Sequence, residues 1–443
     1  MDTLLEAIDV CDVDGFCFGN YTDEEAGTGC TVIVAPEGAT GGVDVRGGAP
    51  ASRETDLLRP ENTVDKVHAV CLSGGSAFGL EAASGVAREL ESRGIGLPVG
   101  PTQVPIVCSS CIFDLAFGDP TVRPDIEAGI SAVREALDNT PTTLEQGNVG
   151  AGTGATVGKL MGPATCMKAG LGAAAVALGP VKVGAVVSVN ACGNVIDPFT
   201  GEWVAGMRAA ADSDQIVDME LAAFAAAGSM QMPLDRTNTT ISCIVTNVEL
   251  TKAQATKVSQ MAADAYAHAI RPTHTTNDGD TIYTLACGKL GAQASATVPL
   301  DLLGMLAVRA LQTAIVNGAK TAKTSHGIPG AAGVDGTLQS GGVFGFAVAL
   351  GPERCLGHIK AVLDRCGAEY AAAHALMAEK HVGLVVALAA QVGQGKVGAA
   401  AGGHGLAAQI DGILRSGPGS RRLIPVQHGR MCGTACKNMC FKH

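Results

Sequence analysis

The residues best placed to do chemistry lie in the run Leu234-Asp-Arg-Thr-Asn-Thr-Thr-Ile-Ser-Cys-Ile-Val-Thr-Asn247. Its first half is polar and turn-like, and from Ile241 apolar and polar residues alternate imperfectly, as in a strand. Thr239 therefore stands where a loop enters a strand. A hydroxyl nucleophile needs a base. If the bond between Asn238 and Thr239 were cut, the freed α-amine, with a reference pKa of about 7.7–8.0, would serve as that base. On these residues alone Asn-Thr-Thr reads more readily as ordinary turn chemistry. The rest of the chain shifts the balance.

A second candidate is Gln146-Gly-Asn-Val-Gly-Ala-Gly-Thr-Gly-Ala-Thr-Val-Gly-Lys159. Gly150 to Ala155 fits a dinucleotide fingerprint in form, but no clear strand precedes it, and the next acidic residue, Asp197, lies too far on for a ribose ligand. A P-loop would need glycine at Thr153 and a hydroxyl at Leu160. Both phosphate readings fail. What survives is a glycine loop, Gly152-Thr153-Gly154 at its centre, whose N–H groups are expected to face a ligand or an oxyanion and which ends in Lys159. Asp278-Gly-Asp280 reads either as a turn or as two carboxylates at the mouth of a site. Ser76 in Gly74-Gly-Ser-Ala-Phe78 lacks the last glycine of a nucleophile elbow and reads as a helix cap.

Composition narrows the function classes. The chain has 443 residues, 59 of them glycine, with 16% charged and 3% aromatic residues and a net charge of −11; its mean hydropathy is +0.26. The acidic balance argues against nucleic acid and anionic membrane as partners. The scarcity of aromatics leaves few platforms for stacking bases. Met1 to Val10 has neither the basic start nor the apolar core of a signal peptide, so a soluble, cytoplasmic protein is expected. Fifteen cysteines, most of them single within apolar runs, read as small buried hydrophobes, including the Cys108-Ser-Ser-Cys111 pair.

The elements that would position these residues follow from pattern. Val67 to Ser73 reads as a buried strand. A helix is expected from about Ala77 to Arg93, stopped by Gly94, and another over Asp125 to Leu137. Ala169 to Val189 reads as two buried strands joined by a Gly179-Pro180 turn, the second ending at Asn190. Met207 to Ala227 reads as mostly helical, Thr251 as the cap of a helix ending before Pro272, and Leu302 to Val316 as a final helix. From His326 the chain changes to Gly/Ala-rich tracts, with a helix expected from Pro352 to Lys380. Its tail spaces Cys432, Cys436, Cys440 and His443 in no recognisable zinc pattern.

Taken together, the motifs resemble one family, the self-processing L-aminopeptidase/D-esterase type, which includes β-peptidyl aminopeptidases and nylon-oligomer hydrolases. The resemblance rests on Thr28-Gly-Cys-Thr-Val32, Val45-Arg-Gly-Gly-Ala-Pro50, Arg53-Glu-Thr-Asp-Leu-Leu58, Leu72-Ser-Gly-Gly-Ser-Ala-Phe-Gly-Leu80, Val104-Pro-Ile-Val107 and Phe113-Asp-Leu115. It continues through Gly152 to Lys159, Val189-Asn190, Asn238-Thr-Thr-Ile241 and Asp278-Gly-Asp-Thr281, running in order from about residue 10 to residue 325. It implies an αββα sandwich over 1–325, cleaved between Asn238 and Thr239 into two chains that stay together, usually in a homo-oligomer. It also implies Thr239 as nucleophile, Lys159 as an active-site lysine, Asn190 as an oxyanion-stabilising asparagine, and Asp278 and Asp280 as a carboxylate pair. No cofactor or metal is implied.

The expected activity is release of an N-terminal residue from a small peptide, amide or ester. An acyltransferase resembling ornithine acetyltransferases stands as the alternative, and a non-catalytic assembly protein as a third class. The extension 326–443 has no counterpart in the resemblance and is expected to serve packing or subunit contact.

Overall fold

The alternation that starts at Ile241 becomes a strand in the middle of the molecule. This computed structural model describes residues 4–228, 238–332 and 340–341. Its principal strands, in chain order, are β1 (Glu6–Ile8), β2 (Cys17–Asp23), β3 (Thr28–Val45), β4 (Ser52–Arg53), β5 (Val67–Ser73) and β6 (Val107–Cys111). They continue as β7 (Leu171–Leu178), β8 (Val181–Asn190), β9 (Thr239–Thr246) and β10 (Thr281–Ala286). Nine of these strands form one hydrogen-bonded path in the order β1-β7-β8-β9-β10-β3-β5-β6-β4, and the tenth, β2, pairs with β3.

The long strand β3 is the joint of that path. Its residues 40–45 pair with β10, while residues 28–39 pair with β2 and β5, and the register shifts between Val34 and Ala39. The irregularity bends the strand, so the path doubles back into two stacked layers. Between the layers lie Phe18, Ile33, Leu72 and Cys108 from one half and Val186, Ile241, Cys243 and Tyr283 from the other.

Helices cover both outer faces. Helices α1 (Ala82–Ser92) and α2 (Ile126–Arg134) bury Ala83, Val86, Leu90, Ala132 and Val133 against Cys30, Val32, Val34 and Cys71. After α3 (Met219–Gly228), helices α4 (Lys252–Ala262), α5 (Asp264–Ala269) and α6 (Leu300–Lys320) cover the other face, against Val183, Ala185, Val187 and Ile244. The result is the expected αββα sandwich. Alternate residues of β9 serve two cores, Ile241, Cys243 and Val245 between the sheets and Ile244 under the helices.

Several sequence readings hold and others need correction. The Gly179-Pro180 turn, the Gly94 stop with its Ile95 N–H to Leu90 carbonyl bond, and the Thr251 cap, which forms a capping box with Gln254, are all present. Cys108 and Cys111 are free, buried thiols. Three residues apart on β6, they face opposite sides of the sheet and join different cores or neighbours, which bars a disulfide. Ser76 is not a cap: Gly75, at φ +79°, takes that position without a side-chain cap, and a 3₁₀ turn over Ser76–Glu81 precedes α1. Met207 to Ala227 is helical only from Met219. Upstream, the Arg208 guanidinium gathers the carbonyls of Ala164, Ala211 and Ser213 and holds the segment as a loop. The expected helix over 352–380 and the Cys-rich tail lie outside the described residues.

Glycine sets the distance between layers. A Cβ on Gly42 of β3 would stand 2.3 Å from the Ala255 carbonyl carbon and the Thr256 nitrogen of α4. One on Gly172 of β7 would stand 1.9 Å from the Ala314 carbonyl oxygen of α6. Backbone cannot yield as a side chain tip can, so Gly42→Ala is expected to cost about 1–3 kcal/mol. Thermal unfolding followed by circular dichroism checks this; an unchanged midpoint would show that helix and sheet are not in such close contact.

Candidate active site

Thr239 opens β9 in register opposite Asn190, the last residue of β8. Asn238 and Thr239 are both buried. The Thr239 Oγ1 hydroxyl donates to the carbonyl of Asn238 and accepts the Gly279 N–H at 3.2 Å. Gly279 is the middle residue of Asp278-Gly-Asp280, and a Cβ there would stand 2.9 Å from Thr239 Oγ1. Only glycine lets that turn reach the hydroxyl.

The two carboxylates are placed differently. Asp280 Oδ1 accepts the Thr240 N–H at 2.8 Å, one residue beyond the proposed nucleophile. Asp278 is 1% exposed; its Oδ2 accepts the Thr275 N–H at 2.7 Å, while its Oδ1 has no partner among the described residues. Burial, and then the neighbouring Asp280 charge, push the Asp278 carboxyl up from its ordinary pKa. The Arg46-Gly-Gly-Ala49 tract holds the turn from behind: Arg46 N–H donates to Asp280 O and Ala49 N–H to Asp278 O. A Cβ on Gly47 would stand 2.4 Å from Asp278 O and Asp280 N, which explains why the tract is glycine-rich.

On the other side of Thr239, Lys159 Nζ donates to Asn190 Oδ1 at 2.6 Å and to Asn190 O at 3.0 Å. Asn190 Oδ1 also accepts the Thr156 N–H, and its Nδ2 donates to Phe113 O. These partners fix which way the amide points. Burial draws the Lys159 ammonium down to about 8, opposed by Asp278 and Asp114 among others. The glycine loop departs from expectation. The N–H groups of Gly152, Thr153 and Ala155 bond the carbonyls of Val149, Gly150 and Gly152, because the segment winds into a 3₁₀ turn. Those three amides are spent inside the loop, and only Gly154 lacks such a bond among the described residues.

The structure adds groups that pattern reading missed. Lys168, fully buried, donates to the carbonyls of Gly152 (3.0 Å), Ala155 (2.9 Å) and Ala169 (2.5 Å), and so clamps the glycine loop from beneath. Burial lowers its ammonium to about 7, with Asp114 pulling the other way. Asp114 accepts Thr28 Oγ1 and the Gly75 N–H, each at 2.7 Å. Its only trace in the sequence was a place in the Phe-Asp-Leu motif, and that of Lys168 a lone charge at the edge of an apolar run. A cavity of about 50 Å³ lies against this cluster, lined by Phe113, Asp114, Phe117, Gly154, Lys159 and Ile328 among others. Ile328 comes from the start of the extension. The neighbouring Pro329 carbonyl accepts the Lys168 N–H, and Ala332 N–H donates to Ala322 O. Residues 326–332 thus pack on the same unit as the site.

Residues 9–332 match the family model described as Peptidase family S58. The chain belongs to that family. It is 39% identical over 344 residues to an uncharacterized aminopeptidase of Mycobacterium leprae (strain TN), covering 72% of this chain and 92% of the relative. It is 31% identical over 319 residues to the 6-aminohexanoate-oligomer endohydrolase of Kocuria sp. (strain KY2), covering 70% and 85%. In fold it is similar to the L-aminopeptidase D-Ala-esterase/amidase of Ochrobactrum anthropi, described as a variant of the Ntn hydrolase fold. That match has a TM-score of 0.51 at 17% identity and covers 71% of this chain and 86% of its counterpart. Family and relatives make this S58 protein an enzyme of the aminopeptidase and amidohydrolase kind.

The buried lysines give the S58 protein a pH signature. Lys168 is lowered from 10.5 to about 7 on folding, so between those values the unfolded chain binds more protons than the folded one. Stability contributed at this position therefore rises with pH across that window. The difference in unfolding free energy between wild type and Lys168→Met is expected to move in favour of wild type from pH 7 to pH 10. Denaturant titrations at several pH values measure it; a constant difference would mean that the ammonium titrates normally.

Proposed function

We propose that this S58 enzyme is a self-processing N-terminal-nucleophile hydrolase that uses Thr239 to release N-terminal residues from small peptides, amides or esters. In this reading the cleaved protomers assemble as a homo-oligomer in the cytoplasm. The observation that carries the proposal is the contact of Thr239 Oγ1 with the carbonyl of its own preceding residue, in a buried site with Gly279 N–H on the same oxygen.

In this reading, self-processing starts from that contact. Attack of Oγ1 on the Asn238 carbonyl carbon forms an ester as the Asn238–Thr239 C–N bond breaks, and the hydroxyl proton goes to the departing nitrogen. Water then hydrolyses the ester, leaving a carboxylate at Asn238 and a free amine and hydroxyl on Thr239. In turnover, the Thr239 amine takes the Oγ1 proton as Oγ1 attacks the substrate's acyl carbon, and the proton passes to the leaving amine or alcohol. Water releases the acyl group in a second pass. Asn190, held by Lys159, is the side-chain donor assigned to the developing oxyanion. The Asp278 Oδ1, without a partner among the described residues, is an acceptor suited to an ammonium. The relatives' names, an aminopeptidase and an endohydrolase of aminohexanoate oligomers, support amides as the substrate class.

Intact mass under denaturing conditions tests the first step. Two fragments are expected, one ending at Asn238 and one beginning with Thr239, and Thr239→Ala should stay whole. A wild-type chain still whole after long incubation at working pH would refute self-processing. The carboxylates make a second test. Asp280→Asn should lower kcat/KM for aminoacyl p-nitroanilides by about tenfold or more, since a misplaced strand head and a changed local charge both raise the barrier. Wild-type kinetics in a folded variant would return Asp278-Gly-Asp280 to turn duty alone.

A further inference from the structure

Thr240, the residue behind the proposed nucleophile, is gripped on both sides of its backbone. Its N–H is held by Asp280 Oδ1 at 2.8 Å, and its carbonyl accepts the Tyr266 hydroxyl at 3.2 Å. Tyr266 is fully buried and also donates to or accepts from Ser242 Oγ at 3.0 Å, one turn of the pleat further along β9. The two arms of this grip come from different elements, Asp280 from the turn before β10 and Tyr266 from α5.

One residue joins the arms. His274 Nδ1 lies 2.8 Å from Asp280 Oδ2, and the His274 backbone N–H donates to the same oxygen at 3.0 Å, with Thr273 Oγ1 at 3.1 Å. The His274 ring stacks on the Tyr266 ring, with centroids 5.6 Å apart and planes 23° from parallel. His274 holds a left-handed backbone conformation, φ +56°, which histidine, asparagine and aspartate tolerate better than most residues. That conformation directs both its N–H and its ring at one carboxylate oxygen. Because Nδ1 faces a carboxylate, it carries the proton. Its Nε2 is buried without a partner among the described residues, so the ring's one polar contact there is with Asp280.

We infer that His274 is a positioning residue that aims Thr239: it locks the Asp280 carboxylate through Nδ1 and braces Tyr266 through its ring, fixing Thr240 from both sides. The inference rests on the reading of Thr239 as nucleophile, and it assigns a role to a side chain that does not touch the reacting atoms. A ring used only to fill space would not need its Nδ1 proton. A ring used only as a donor would not need its stack.

Three variants separate these contributions. In His274→Asn the side-chain amide can occupy the Nδ1 position and the backbone conformation is tolerated, so the donor is kept and the stack lost. His274→Phe keeps the stack and loses the donor. Tyr266→Phe keeps the stack and loses the hydroxyl on Thr240 O. For aminoacyl p-nitroanilides, His274→Phe is expected to lower kcat about tenfold to a hundredfold with KM within about threefold, the size of effect a small misplacement of a reacting group produces. His274→Asn should recover most of that loss, and Tyr266→Phe should show a smaller fall in kcat alone. Hydrogen exchange is measured in parallel in an uncleavable Thr239→Ala background. There His274→Phe should speed exchange at residues 240–242 at least tenfold relative to the His274 parent, while the far end of β9 is unchanged.

A folded His274→Phe enzyme with wild-type kcat, or with exchange at 240–242 unchanged, would overturn the inference. Equal losses in His274→Asn and His274→Phe, in step with equal falls in melting temperature, would also overturn it by reducing His274 to packing. If His274→Phe does not fold, the Asn and Tyr266 variants decide: the inference then requires His274→Asn to turn over near the wild-type rate. A wild-type chain that neither cleaves nor turns over, yet shows the exchange response, would defeat the Thr239 reading and leave the positioning role of His274 standing.

Discussion

The site depends on the need to satisfy polar backbone buried at the head of β9. Strand β9 lies between β8 and β10 inside a four-layer sandwich, so its first residues cannot turn to water for hydrogen bonds. The Asp280 carboxylate meets that need. One oxygen takes the Thr240 N–H and the other takes three donors from residues 273 and 274. A buried carboxylate is costly unless several donors converge on it, and here the donors are the loop that must be held still. The same bonds that make Asp280 tolerable in the interior also bind the turn to the strand.

The second requirement is proximity of backbone to backbone. Gly279 lets its turn touch Thr239 Oγ1, and Gly47 lets a neighbouring tract lie on that turn. On the far side, a Cβ on Gly154 would stand 2.6 Å from Asp114 Cβ, and one on Gly74 would overlap the Asp114 carboxylate at 2.1 Å. The glycines around the site are therefore less a flexible loop than a set of close contacts. The winding of the loop consumes the amides of Gly152, Thr153 and Ala155, which leaves the loop few donors to offer a ligand.

Charge is balanced by ion and dipole together. Lys159 and Lys168 are buried beside Asp114 and Asp278; Lys159 donates to both oxygens of Asn190, and Lys168 to three loop carbonyls. Burial lowers both ammonium groups and raises both carboxyls. Burial thus shifts the two kinds of group toward each other, the pattern by which enclosed sites tune acid–base groups.

Much of this architecture was legible in the order of residues. Period-two alternation marked β9, the Gly-Pro turn divided β7 from β8, and the Thr251 cap and Gly94 stop bounded helices, because each depends on chemistry within a few residues. The motifs placed Thr239, Asn190, Lys159, Asp278 and Asp280 as candidates, and the fold brings all five to one end of β8, β9 and β10. What sequence could not show is whatever depends on distant backbone. The doubling of the sheet at β3 turns on a register shift, and the spent amides of the glycine loop turn on its winding against Lys168. Ser76 failed as a cap because Gly75 adopts a left-handed conformation there, whereas local preference favours serine. Lys168, His274 and Tyr266 carried no local pattern to single them out, and Asp114 only a place in a short motif; what each one holds is decided by packing against other parts of the fold.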